Sequence, residues 1–309
     1  MKVKRSLGST AAGLAALLLL TACGGGGDPL ASSGAGNQPA AAADVVRVGS
    51  EQFPENQLLG EIYAQALEAK GVKVERKFAI GSRETYYPAL QDGSIDVVPD
   101  YNGNLLLFVK TDATVSSPAD VLTALKAALP ANLTVLNQAE AQNKDAFTVT
   151  RATAEKYNAK SIEDIVPFCG EITFGGPTQF QERAYGIAGM KKNYNCTFKG
   201  FKALDTGGPL TVQALKDGTI QGADLFTTDP ALVANDFVTL VDPKNNFPAQ
   251  NVLPLMNKAK AVGAAAAALN GVSAKLSQKE LLNLDVEQGK KTQTDAQIAT
   301  TWLKAQGLA

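Results

Sequence analysis

Apolar positions recur at helical spacing at Leu58, Leu59, Ile62, Ala66 and Leu67, directly after a short apolar run over 45–49. This pattern predicts a strand followed by a helix, which Lys70-Gly71 ends. Val72, Val74, Phe78 and Ile80 then alternate with mostly charged neighbours, which predicts a second strand over 72–80. Gly81-Ser82 opens a turn into a helix ending at Asp92-Gly93, and 95–98 reads as a third strand. Farther along, strands are predicted over 172–174 and 222–226, and helices over 183–194 and 210–216. The Ala- and Leu-rich tail over 259–309 reads as helices returning to the first part of the fold. Alternating strands and helices predict an α/β chain with a parallel or mixed sheet and ligand chemistry at the carboxyl ends of its strands.

One phrase occurs twice. Ala89-Leu90-Gln91-Asp92-Gly93-Ser94-Ile95 is matched by Ala214-Leu215-Lys216-Asp217-Gly218-Thr219-Ile220 at an offset of 125 residues. Each is a helix end, a Gly able to take positive φ, and the start of a buried strand. The repeat predicts two related lobes, and the same offset carries Tyr101 onto Phe226. Strand patterns place the passage into the second lobe at 146–150 and the return at 251–256. Lobe 1 is therefore expected over 44–145 and 251–309, and lobe 2 over 146–250, with both crossings forming the hinge.

Composition narrows the chemistry. The 309 residues carry 29 Lys plus Arg against 30 Asp plus Glu, spread without a basic block, so nucleic acid is not the expected partner. His is absent, which removes Ser-His-Asp and Cys-His nucleophilic machinery and the imidazole ligands of most catalytic zinc sites. No cofactor and no metal are expected. Lys2, Lys4 and Arg5 precede an apolar run over 11–20, which reads as a targeting leader over 1–22. Leu20-Thr21-Ala22-Cys23 looks like a bacterial lipobox, so Cys23 is the expected lipidation site and the mature protein is expected on the extracytoplasmic face of a membrane. The Gly-, Ala- and Ser-rich segment to residue 43 reads as a flexible tether. Cys169 and Cys196 remain, and in an exported protein they are expected to form a disulfide.

Five segments carry a resemblance: Gly49-Ser50-Glu51-Gln52-Phe53-Pro54-Glu55, Gly81-Ser82-Arg83, the run from Gly93 to Gly103 containing Pro99-Asp100-Tyr101-Asn102, Phe226-Thr227-Thr228-Asp229, and the run from Pro248 to Leu255. Together they resemble the substrate-binding lipoproteins of osmoprotectant ABC importers, the glycine betaine, carnitine and choline group. The resemblance implies a type II periplasmic-binding-protein fold, with two α/β lobes closing on a solute in the cleft between them. It implies a monomeric receptor that hands its solute to ABC permease subunits. A trimethylammonium head donates no hydrogen bond and is held by aromatic faces, aided by carboxylates or carbonyls; a carboxylate tail wants Arg, hydroxyls or backbone amides. Tyr101 matches the family's cleft aromatic, and Phe226 stands where many relatives have Tyr. Phe53, Ser82, Arg83 and Thr227 match other cleft-lining positions, with Arg83 and the hydroxyls as anion contacts. Asn56 stands where relatives often carry Gln. Tyr87 is taken from the Tyr86-Tyr87 pair as a further cleft aromatic. Arg183 either binds an anion or pairs with Glu182 or Asp205 within its own lobe. Asp229, before Pro230, reads as a helix N-cap rather than a ligand contact.

The expected ligand is thus a small zwitterionic or cationic solute of the quaternary-amine class. A different small or aromatic solute such as ergothioneine is the first alternative. A secreted enzyme working through Asp96 and Asp100 is the second, opposed by their spacing at i and i+4 in or beside a strand. A surface adhesion lipoprotein would need an exposed aromatic patch, against which the 6% aromatic content argues.

Overall fold

The computed structural model describes residues 45–309. The leader, Cys23 with its expected lipidation, and the tether lie outside the described residues. Two five-stranded sheets organise the described chain. The first contains β1 (Val45–Gly49), β2 (Lys73–Lys77), β3 (Val97–Tyr101), β4 (Leu133–Val135) and β10 (Val252–Asn257). The second contains β5 (Asp145–Thr150), β6 (Thr173–Pro177), β7 (Gly200–Leu204), β8 (Gly222–Phe226) and β9 (Phe237–Thr239). Their orders, β2-β1-β3-β10-β4 and β7-β6-β8-β5-β9, correspond position by position. In each, three strands run parallel and the fourth, β10 or β5, runs antiparallel to its neighbours.

The doubled phrase folds the same way twice. Gly93 and Gly218 take φ of 78° and 75°, and Ile95 and Ile220 each donate a backbone hydrogen bond of 3.1 Å, to Ala89 and Ala214. Asp92 and Asp217 each accept from the backbone amide two residues on. The chain then enters β3 and β8, which end on Tyr101 and Phe226. Between the lobes the two crossings pair with each other: Gln142 and Asn251 form an antiparallel bridge, and the Asn143 amide donates to Gln250 O. The second sheet already includes Asp145, opposite Phe226, one residue ahead of the expected change of lobe.

Several elements depart from the periodicity, each for a local reason. β2 stops at Lys77 because Ala79 takes φ of 55° and turns the chain so that Ile80 N reaches Ser50 O. β3 starts two residues later than 95 because Ile95 is still tied to the preceding helix end. β6 runs on past the expected 172–174 through Gly175-Gly176-Pro177. A Cβ at Gly175 would meet the Ile220 side chain at 2.5 Å, so the glycine serves close packing inside the sheet. The helix expected from 183 begins at Ile187 and runs to Tyr194. A Cβ at Gly186, just before it, would sit 1.7 Å from Phe180 O.

Both sheets are covered on both faces, as parallel strands require. The helix Pro54–Ala69 packs against the tail helices Gly263–Lys275 and Asp295–Gln306 over one face of the first sheet, burying Leu58, Ile62, Leu67, Leu269, Trp302 and Leu303. Tyr86, Tyr87, Leu90, Leu105 and Leu125 fill the other face. In the second lobe Phe147, Phe174, Phe180 and Met190 form the larger core, beside which Cys169 and Cys196 are joined in a disulfide with a Cα separation of 5.5 Å.

Candidate functional site

The site is built where β1, β3 and β8 end. Phe53 follows β1 and is the N-cap residue of the Pro54–Ala69 helix. Its ring lies 6.0 Å from Tyr101 at the end of β3 and 5.2 Å from Phe226 at the end of β8. Three aromatic rings, two from the first lobe and one from the second, therefore meet in the cleft. The offset that related Tyr101 to Phe226 in the sequence places both at this junction.

Glu55, the second residue of the same helix, lies behind the rings and ties the parts together. It accepts from the Tyr101 hydroxyl of its own lobe. It also accepts 3.0 Å bonds from Asn143 Nδ2 in the first crossing and a 2.8 Å bond from Thr228 Oγ1 of the second lobe. On this side Phe53 and Phe226 border a cavity of about 670 Å³, also lined by Thr228, Asp229 and Asp285. Burial, followed by the nearby Glu55 charge, holds the Asp285 carboxyl well above its ordinary range.

On the other side the rings border a narrow cavity of about 20 Å³ rich in ionisable groups. Arg83, only 2% exposed, places Nη2 2.6 Å from Asp100 Oδ1 and 3.6 Å from Glu51. Tyr86 donates to the second Asp100 oxygen at 2.6 Å. Burial pushes Glu51 up to about 7, against the opposing pull of Arg83. Arg183 enters from the second lobe, donating to Tyr185 Oη at 2.8 Å and pairing with Glu84 of the first lobe at 3.2 Å. Burial raises the Glu84 carboxyl, but Arg183 and a hydrogen bond from Ser82 outweigh it and bring Glu84 down to about 2. Asp145 and Asp224 complete the floor. Both are held above the ordinary carboxylate range, chiefly by burial, and the charge of Asp145 adds to the rise at Asp224.

Of the residues singled out from sequence, Phe53, Arg83, Tyr101, Arg183 and Phe226 line this narrow cavity. Three stand elsewhere. Tyr87 packs into the first-lobe core with its ring 5.1 Å from Phe108, because its position on the Arg83–Gln91 helix faces the sheet. Thr227 is exposed and accepts from the Lys144 amide. It pins β8 to the first crossing, and the neighbouring Thr228 points inward instead. Ser82 is half-buried and donates to Glu84, so it orients the rim pair. Arg183 pairs with neither Glu182 nor Asp205; Asp205 instead accepts from the Leu210 and Thr211 amides. Asp229 caps the helix Pro230–Ala234, accepting from Ala231 N at 2.7 Å. Asp96 and Asp100 have separate partners, Arg47 and Arg83, and do not act as a pair. Asn56 is buried and bonds the Glu51 amide and Pro99 O.

Sequence reasoning passed over Glu51, Asn104, Asp145, Thr206 and Asp224, which line the same cavity. A signal was present for two of them: Asp145 and Asp224 are the charged residues inside otherwise uncharged, buried strands. An ionisable group there is costly unless something compensates it.

The chain belongs to the family of substrate-binding domains of ABC-type glycine betaine transport systems, which it matches over residues 44–305. This is a family of transport receptors. The chain is 27% identical over 283 residues to the glycine betaine-binding protein YehZ of Escherichia coli (strain K12), covering 87% of this chain and 93% of that one. It is 25% identical over 271 residues to the carnitine transport binding protein OpuCC of Listeria monocytogenes serotype 1/2a (strain 10403S), covering 85% and 87%. A crystal structure of a glycine betaine/carnitine/choline ABC transporter shares the fold with a TM-score of 0.67 at 22% identity, covering 85% of this chain and 99% of that one.

Proposed function

We propose that this substrate-binding protein is a monomeric lipoprotein, anchored through Cys23 on the extracytoplasmic face of the membrane. It captures a quaternary-amine osmoprotectant of the glycine betaine, choline and carnitine class between its lobes and delivers it to the ABC permease, with no catalytic step. The observation that carries this reading is the meeting of Phe53, Tyr101 and Phe226 from both lobes beside buried carboxylates. Aromatic faces attract a cation that cannot hydrogen-bond, and water-excluded carboxylates add to the attraction. Closure of the lobes brings the rings together, so binding and closing are one event.

A thermal-shift panel on residues 44–309 tests the solute class. A ligand at 100 times its Kd stabilises the fold by about 2.7 kcal/mol, several degrees for a domain of this size. The expected result is a shift with quaternary amines and none with size-matched neutral solutes. Shifts with neutral solutes alone would overturn the reading. The anchor is tested by mass spectrometry of the N-terminal peptide from membrane-extracted protein, in which an unmodified Cys23 thiol would remove it.

A further inference from the structure

The side chains lining the narrow cavity leave some of their own polar atoms unmet. Arg83 is committed to Asp100, Arg183 to Glu84 and Tyr185, and the Tyr101 hydroxyl to Glu55. Asn104 spends its Nδ2 on Asp145 at 2.6 Å, which fixes its amide so that Oδ1 is the free end. Among the described residues, three buried side-chain oxygens here have no hydrogen-bond partner: Asp224 Oδ1, Asn104 Oδ1 and Thr206 Oγ1. Asp224 is 3% exposed and Asn104 7%. They come from separate places, Asn104 from the first turn of the helix Asn102–Val109, Thr206 from the loop after β7 and Asp224 from β8. A space of about 20 Å³ admits roughly one water, which can donate to Asp224 and Asn104 and accept from the Thr206 hydroxyl, so a solute that displaces it has to supply a donor in its place.

Buried acceptors left unmet oppose closure, and a trimethylammonium head cannot meet them because it has no donor. We infer that Asp224, Asn104 and Thr206 form a polar subsite in which the Asp224 and Asn104 oxygens take a hydrogen-bond donor of the solute, an O–H or N–H group, and the Thr206 hydroxyl turns to suit it, so that the receptor closes tightly on donor-bearing members of its class. The inference rests on the function proposed above and narrows it. Glycine betaine, which has neither O–H nor N–H, is then a weak ligand, while a hydroxylated quaternary amine is a strong one. A site built around buried polar groups discriminates strongly against an analogue lacking the matching group, because its own atoms are then left unpaired.

Titration calorimetry on matched pairs tests this. Choline is compared with ethyltrimethylammonium and carnitine with γ-butyrobetaine, each pair differing by one hydroxyl; dimethylglycine against glycine betaine supplies the N–H arm. The expected result is at least tenfold tighter binding by the donor-bearing member of a pair, with the winning arm identifying O–H or N–H. Equal affinities within all pairs would overturn the inference while leaving the receptor reading intact; no binding by any quaternary amine would overturn both. Asp224→Asn separates a binding role from a structural one. It is expected to keep the melting temperature of the unliganded protein, because an amide of the same shape replaces the buried carboxyl, and to reduce the donor preference at least fivefold. A lowered melting temperature with an unchanged preference would overturn the assignment. Thr206→Val, at a loop position, gives an independent reading and is expected to reduce the same preference.

Discussion

The strand ends at Tyr101 and Phe226 occupy the same place in two sheets of the same topology, yet their surroundings differ. Beside Tyr101, Asp100 is fully engaged by Arg83 and Tyr86. Beside Phe226, Asp224 lies on the face shared with Phe147 and Asp145 and leaves one oxygen without a partner. The first lobe therefore brings a strand-end carboxylate that is already paired, whereas the second brings one with an oxygen still unpaired. Strong pairing in one wall fixes the geometry, and the deficit in the other gives closure something to satisfy.

The contrast can be broken most severely at Asp100. Asp100→Asn leaves Arg83 buried beside a weakened partner and is expected to destabilise the fold by about 3 kcal/mol in urea titration, whereas Asp224→Asn in the second lobe is not expected to destabilise. Replacing both Cys169 and Cys196 by Ala should cost about 3 kcal/mol by the same measurement, on the loop-entropy account of a bridge spanning 27 residues. A smaller effect separates the two aromatics. Phe226 is half-buried, and Phe226→Ala should weaken solute binding at least tenfold, about 1.4 kcal/mol, with little change in the melting temperature of the unliganded protein. Tyr101 is 5% exposed and bonded to Glu55, so Tyr101→Ala should lose both binding and stability. Calorimetry and melting curves on the two variants check the distinction.

The smallest effect is electrostatic and lies at the rim. Glu84 in the folded protein titrates at about 2, below its ordinary 4.5. Its contribution is thus complete above pH 4.5 and fades as pH falls through 2. Because the pair is partly exposed, the difference in melting temperature between the wild type and Glu84→Gln should correspond to less than about 1 kcal/mol. It should vanish toward pH 2.

The fold was legible because the cues behind it are local and repeated. A helix end, a glycine of positive φ and a buried strand occur twice, and both copies formed. The aromatic junction was legible for the same reason, since both rings stand at strand ends fixed by that repeat. What escaped was orientation and long-range pairing. One residue along a loop decides that Thr228, not Thr227, points inward, and helical phase sends Tyr87 into the core. Arg183 finds its partner on the opposite lobe, 99 residues back along the chain, which no local pattern announces.

Glu55 also bears on how fast a bound solute can leave. Its donors come from one lobe, the crossing and the other lobe, so parting the lobes strips Thr228 from a carboxylate that must be rehydrated in the same movement. Counter-ions screen exposed charges such as the rim pair of Glu84 and Arg183 but act far less on a buried group. Salt is therefore expected to ease the parting of the rim pair while leaving the Glu55 step nearly unchanged.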